Sequence, residues 1–121
     1  MYYIGIDISK FKHDCAVIDD SGEIVTPSWS FTNDAKGFSQ LKLLLNSLDT
    51  ETRIGLESTG HYGMNLKLFL ESNNFSFMEF NPLLINRFVK SKSLRKTKSD
   101  SIDCMMIAHY LMTVEYKPYH T

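Results

Sequence analysis

Polar and apolar residues alternate from the first residues of the chain. In "MYYIGIDIS" (1–9), Tyr2, Ile4, Ile6 and Ile8 fall on one side of an extended strand, and Tyr3, Gly5 and Asp7 on the other. "FKHDCAVID" (11–19) reads as a second strand, Asp20 to Gly22 as a tight turn, and "EIVTPSWSF" (23–31) as a third strand, which Pro27 restricts to a sheet edge. The period then changes. Phe38, Leu41, Leu44, Leu45 and Leu48 recur at helical spacing behind Asn33 or Asp34, either of which can cap a helix. "TRIGLES" (52–58) is a short apolar strand, "TGHYG" (59–63) a glycine-bounded turn and "MNLKLFLES" (64–72) a helix. "FSFMEF" (75–80) is a further strand, and Asn81 with Pro82 suits the start of another helix. A last apolar helix follows a basic stretch. The predicted order is β-β-β-α-β-α-β-α-α: an antiparallel meander, then alternating units that imply a mixed sheet covered by helices.

The length of 121 residues allows one domain with one core. Apolar runs fall short of the roughly 18 residues that span a bilayer, and the N-terminus lacks the features of a signal peptide. A cytoplasmic protein with no membrane partner is expected. Cys15 and Cys104, far apart and without a CxxC pattern, suit two reduced core thiols. A net charge of −1 excludes binding to nucleic acid by bulk charge. Its distribution changes the picture. Arg87, Lys90, Lys92, Arg95, Lys96 and Lys98 gather six of the thirteen basic residues in "RFVKSKSLRKTK", a candidate contact for nucleic-acid backbone as well as an ordinary solvated loop.

Acids occupy positions that need a reason. Asp7 lies inside a strand, where aspartate is depleted. Glu57 ends "RIGLE", and Asp100 and Asp103 open the last helix, Asp100 as N-cap and Asp103 in the first turn, three apart on one helix face. His61 and Tyr62 follow Glu57 closely and are possible accessory groups for orienting water or touching phosphate, or else they pack. His13, His109 and His120 form no metal-binding pattern, so structural roles are expected for them.

The element order is that of the ribonuclease H-like fold, and this resemblance puts the first strand at the centre, the first parallel strand beside it and a late helix across both. Asp7, Glu57, Asp100 and Asp103 would then converge. Carboxylates that close need a cation, and an all-oxygen donor set suits Mg2+ or Mn2+. Two such ions about 4 Å apart align the attacking and leaving oxygens of a phosphodiester.

Four stretches carry a closer resemblance. "YIGIDISK", "GLESTGHYG", "FNPLLINRFVKS" and "RKTKSDSIDCMMIA", in this order, are similar to the N-terminal domain of the DEDD transposases, the insertion-sequence family numbered one-hundred-ten with its Piv/MooV invertase relatives. The similarity runs from about residue 2 to residue 113. It implies a RuvC-like domain whose metal-binding, catalytic tetrad is Asp7, Glu57, Asp100 and Asp103. It implies DNA as partner and, in the full-length protein, a guide RNA. In the family a coiled coil and a second domain with a nucleophilic serine follow, so residues 1–121 are expected to be a fragment of a longer chain or the product of a truncated gene. Ser9 and Ser58 do not correspond to that serine, and Cys104 stands where the family often has alanine. Two alternatives stay open: a stand-alone RuvC-like or ribonuclease H-like nuclease, and a non-catalytic module for nucleic-acid binding or dimerisation. The last helix looks apolar nearly all round, with Ile102, Met106 and Tyr110 on one side and Met105, Ala108 and Met112 on another. A homo-oligomer joined through it is expected, because an uncovered apolar surface usually marks an interface.

Overall fold

The computed structural model describes residues 1–57, 60–91 and 103–118. Three strands open the chain: β1 (Tyr2–Ile8), β2 (Lys12–Asp19) and β3 (Ile24–Thr32). Helix α1 (Ala35–Ser47), β4 (Thr52–Glu57), a 3-10 turn (Gly60–Gly63) and α2 (Met64–Ser72) come next. β5 (Met78–Phe80), α3 (Pro82–Ser91) and α4 (Cys104–Thr113) complete the described elements. The strands form one sheet in the order β3-β2-β1-β4-β5. β1 to β3 are antiparallel, while β4 runs parallel to β1 and β5 parallel to β4. This is the mixed α/β sheet of the ribonuclease H-like fold, with β1 at its centre. β3 lies at the edge, and its Pro27 falls where the β2–β3 register shifts, between the pairs Cys15–Trp29 and Val17–Thr26.

The alternation along β1 separates two cores. Ile4, Ile6 and Ile8 join Phe38, Leu41 and Leu45 of α1 and Leu66 and Leu70 of α2 on one face. On the other face Tyr3 and Phe80 pack with Ile85 and Val89 of α3 and with Ile107 and Leu111 of α4. Each fully buried aliphatic side chain here contributes about 1.5–3 kcal/mol. The caps are local. Asp34, not Asn33, closes the start of α1 by accepting from Gly37 N at 2.9 Å, and Asn81 Oδ1 accepts from Leu83 N at 2.9 Å at the start of α3.

One expectation about the last helix is corrected. Asp103 is the N-cap of α4 and not a first-turn residue, its Oδ1 accepting from Met106 N at 2.9 Å; Asp100 lies outside the described residues. Part of the apolar surface of α4 is covered within the domain. Cys104, Ile107, Ala108 and Leu111 are buried against the sheet, and Met105, Met106, Tyr110 and Met112 are half-buried, with Phe88 of α3 meeting the Tyr110 ring edge-on at 5.4 Å. β5 is also shorter than its apolar run, although Phe77 just before it is fully buried.

α4 reaches the sheet because of two glycines. A methyl group at position 5 would collide with the carbonyl oxygen of Cys104 and the amide of Ala108, so only glycine lets the helix backbone rest on β1. At Gly55 a methyl group would meet the Phe80 ring and press on Leu111. The two glycines are register partners on neighbouring parallel strands, and they cut one shallow channel for one helix.

Candidate functional site

Asp7 follows Gly5 by two residues and therefore faces the same side of the sheet as α4. Cys104 sits over Gly5, so its neighbour Asp103 comes down at the carboxyl end of β1, beside Asp7. β4 brings in Glu57. Its partner register ends with Ile6 opposite Leu56, one residue short of Asp7 and Glu57, which share the face of Gly5 and Gly55. A further acid arrives from the other side. Asp14 is the antiparallel partner of Asp7 across β1 and β2, and Ser30 on β3 donates its hydroxyl proton to Asp14 Oδ1.

Sequence reasoning did not single out Asp14. Periodicity within either strand does not reveal the pairing; the hairpin register sets it, placing Ile8 opposite His13 and therefore Asp7 opposite Asp14. Like charges directly opposite on one face are destabilising unless something offsets them.

The electrostatic consequence falls on Asp7. Burial, and then the charges of Glu57, Asp14 and Asp103, push its carboxyl up from the ordinary 3.8 to about 6. The half-buried Asp7 at the head of the central strand is thus held among three other acids, which favours a proton or a cation there. Asp103 caps α4 and also adds to the field at Asp7. The oxygen-only character of the set suits a hard divalent cation. Among the described residues, no three His, Cys, Asp or Glu side chains stand close enough to hold one ion between them, and Asp100 lies outside those residues.

The other candidates separate. His61 and Tyr62 lie exposed in the 3-10 turn, their ring centroids 4.6 Å apart. Arg87 and Lys90 are exposed on α3, while Lys92, Arg95, Lys96 and Lys98 lie outside the described residues. His13 is fully buried, accepts from Ser9 N through Nδ1 at 3.2 Å and meets Phe31 edge-on, which is the expected structural role. Burial lowers its pKa and so keeps the imidazole neutral. His109 is half-buried in α4. Cys15 and Cys104 are buried free thiols, both pushed up first of all by burial, and Cys104 Sγ lies 3.2 Å from the Ser28 hydroxyl.

A central strand carrying an acid at its carboxyl end, flanked by a parallel strand and crossed by a capped helix, defines a ribonuclease H-like domain. Residues 4–121 match the DEDD transposase family of IS110 type, described as a transposase, and the chain belongs to that family. It is 33% identical over 111 residues to a pilin gene-inverting protein of Moraxella lacunata, covering 89% of this chain and 33% of that protein. The pilin gene-inverting protein of Moraxella bovis is 34% identical over 112 residues, with 89% of this chain and 33% of that protein covered. A mini-circle putative transposase for IS117 from Streptomyces coelicolor is 28% identical over 115 residues, covering 92% of this chain and 27% of that protein. The chain thus spans about a third of the length of the curated relatives it matches. No helix among the described residues is long and apolar enough to cross a membrane.

Proposed function

We propose that this domain is the metal-binding part of a DNA transposase or site-specific recombinase, with Asp7, Glu57, Asp100 and Asp103 as its catalytic carboxylates. The observation that carries the reading is the placement of the half-buried Asp7 at the carboxyl end of the central strand, opposite Asp14 on β2 and with Glu57 and Asp103 near enough that their charges, after burial, raise its carboxyl. Such a site is electrostatically strained without a cation and relaxed with one. Mg2+ or Mn2+ bound there supplies a Lewis acid for phosphodiester cleavage and rejoining. Asp7 and Glu57, on adjacent strands, and Asp103, the cap of α4, are carried by elements that pack directly on one another. Asp14, bonded to Ser30, adds negative charge behind Asp7. Membership in the family favours this reading over a stand-alone nuclease or a non-catalytic module.

DNA is the proposed substrate, in keeping with relatives named for gene inversion and transposition. The segment Arg87 to Lys98 draws its phosphates toward the acids. Guidance by RNA rests on the family resemblance and belongs to the full-length protein, as does a following coiled coil with a serine domain. The domain alone binds metal and nucleic acid without recombining DNA. Self-association through α4 has the half-buried Met105, Met106 and Met112 as its remaining surface.

Thermal melting tests the core of the reading. Mg2+ or Mn2+ should raise the melting temperature above that in chelator, since a ligand specific to the folded state adds about 2.7 kcal/mol at a hundred times its dissociation constant. Asp7→Asn combined with Asp103→Asn should abolish the rise. A parent protein indifferent to both ions would overturn the metal reading. Neutralising Lys92, Arg95, Lys96 and Lys98 together should weaken DNA binding and flatten its salt dependence, and an unchanged salt slope would leave the segment a solvated loop.

A further inference from the structure

The carboxyl end of the sheet carries aromatic residues that the acids do not explain. Phe11, in the turn joining β1 to β2, is 76% exposed, the largest exposure among the large apolar side chains described. It stands between Lys10 and Lys12, both exposed, and Lys10 Nζ lies 5.1 Å from the centre of its ring. In the 3-10 turn beyond β4, Tyr62 is 38% exposed and leans on His61. β1 and β4 are parallel neighbours, so both turns leave the sheet at the end where Asp7 and Glu57 lie.

These two turns are not independent. Asn33, just before α1, donates its side-chain amide to Lys10 O at 3.2 Å and to Tyr62 O at 3.4 Å. Its backbone N–H donates to Phe11 O at 3.0 Å. One residue therefore ties the backbone of the Phe11 turn to that of the Tyr62 turn. The backbone positions that carry the two aromatics are thus tied together before any ligand arrives, which lowers the ordering cost of binding.

We infer that Phe11 and Tyr62, with Lys10 and Lys12 beside them, form a stacking site for unpaired nucleobases of a single strand passing the acidic centre. Resting on the nucleic-acid reading above, the inference deepens it by naming the form of nucleic acid taken at this end. An exposed ring flanked by lysines pairs a π-face for a base with cations for the phosphates on either side of it. A paired duplex offers its base faces only at ends and openings, so the site selects unpaired strand. Lys10 at the ring and the exposed Lys12 next in the chain argue for a polyanion over an apolar protein surface.

The test is fluorescence anisotropy of the 121-residue chain with a dye-labelled oligothymidylate of about twenty nucleotides and with a duplex of equal length. The single strand should bind more tightly than the duplex. Phe11→Ala should weaken single-strand binding roughly 5- to 100-fold, the range of one lost base stack, with the salt slope unchanged. Lys10→Gln with Lys12→Gln should instead reduce the salt slope by about 0.7 for each lysine. Phe11→Trp should retain affinity, and its added indole fluorescence should be quenched by the oligonucleotide, whereas Phe11→Leu should bind as poorly as Phe11→Ala. Melting curves establish that each variant is folded. Parent-like binding by Phe11→Ala and Phe11→Leu overturns the stacking site and leaves the recombinase reading intact. Parent-like binding by Phe11→Leu alone, with an unquenched indole in Phe11→Trp, marks an apolar protein-docking surface and overturns it as well. A parent chain that binds neither oligonucleotide overturns the stacking site together with the nucleic-acid reading, while the metal response stands or falls separately in the melting experiment.

Discussion

Replacing Asp7 by Asn removes a charge that the folded domain holds at a cost. The carboxyl is lifted from 3.8 to about 6, so between those values the folded state binds more protons than the unfolded state, and stability falls as pH rises from about 4 to about 6. The full lift corresponds to about 3 kcal/mol. Because Asp7 is only half-buried, solvent screening lowers the expected effect to about 1–2 kcal/mol. For a domain of this size that is about 4–8 °C in melting temperature. Asp7→Asn should therefore melt above the parent at pH 7.5 in chelator, by circular dichroism, and the gain should vanish near pH 4, where the parent carboxyl is protonated when folded. Added Mg2+ should narrow the difference at pH 7.5, since it stabilises only the parent. A variant that melts at or below the parent in chelator at pH 7.5 would refute the claim that burial and neighbouring acids disfavour the Asp7 charge.

Three further outcomes follow from packing and charge. Asp14→Asn should bring the Asp7 carboxyl back toward its ordinary value, because Asp14 is one of the charges raising it; carboxyl carbon chemical shifts followed against pH measure this, and an unmoved Asp7 midpoint would remove Asp14 from the site. Gly5→Ala should destabilise the domain by about 1–3 kcal/mol or more through overpacking, since α4 must lift off β1, and it should also blunt the metal response by drawing Asp103 away from Asp7. A melting temperature unchanged in Gly5→Ala would refute the close contact. Cys15 and Cys104 should resist alkylation at pH 8 in the folded protein and react fully in denaturant, because burial disfavours both thiolates; rapid labelling of either in the native state would contradict their packing.

Much of this architecture is local and therefore legible in the amino-acid sequence. The period-2 pattern of β1 assigned Ile4, Ile6 and Ile8 to one core and Gly5 and Asp7 to the opposite face, because successive side chains in a strand must point to opposite sides. Pro27 marked an edge strand through its missing donor, and Asn81 with Pro82 marked the start of α3 through a cap and a preset backbone angle. The ordered motifs were enough to identify the family. What depends on register and docking was decided only in three dimensions. Asp14 belongs beside Asp7 because a particular hairpin register pairs them, and periodicity within either strand carries no information about that pairing. Asp103 became the cap of α4 where first-turn placement was expected, because helix termini depend on which backbone groups find partners. The apolar pattern of α4 did not show how its sides are used: Ile107 and Leu111 pack with Ile85 and Val89 of α3, while Met105, Met106 and Met112 stay half-buried. The same docking turns a capping aspartate into a neighbour of the Asp7 carboxyl, for only at Gly5 can a helix backbone come close enough to the central strand to bring the two acids together.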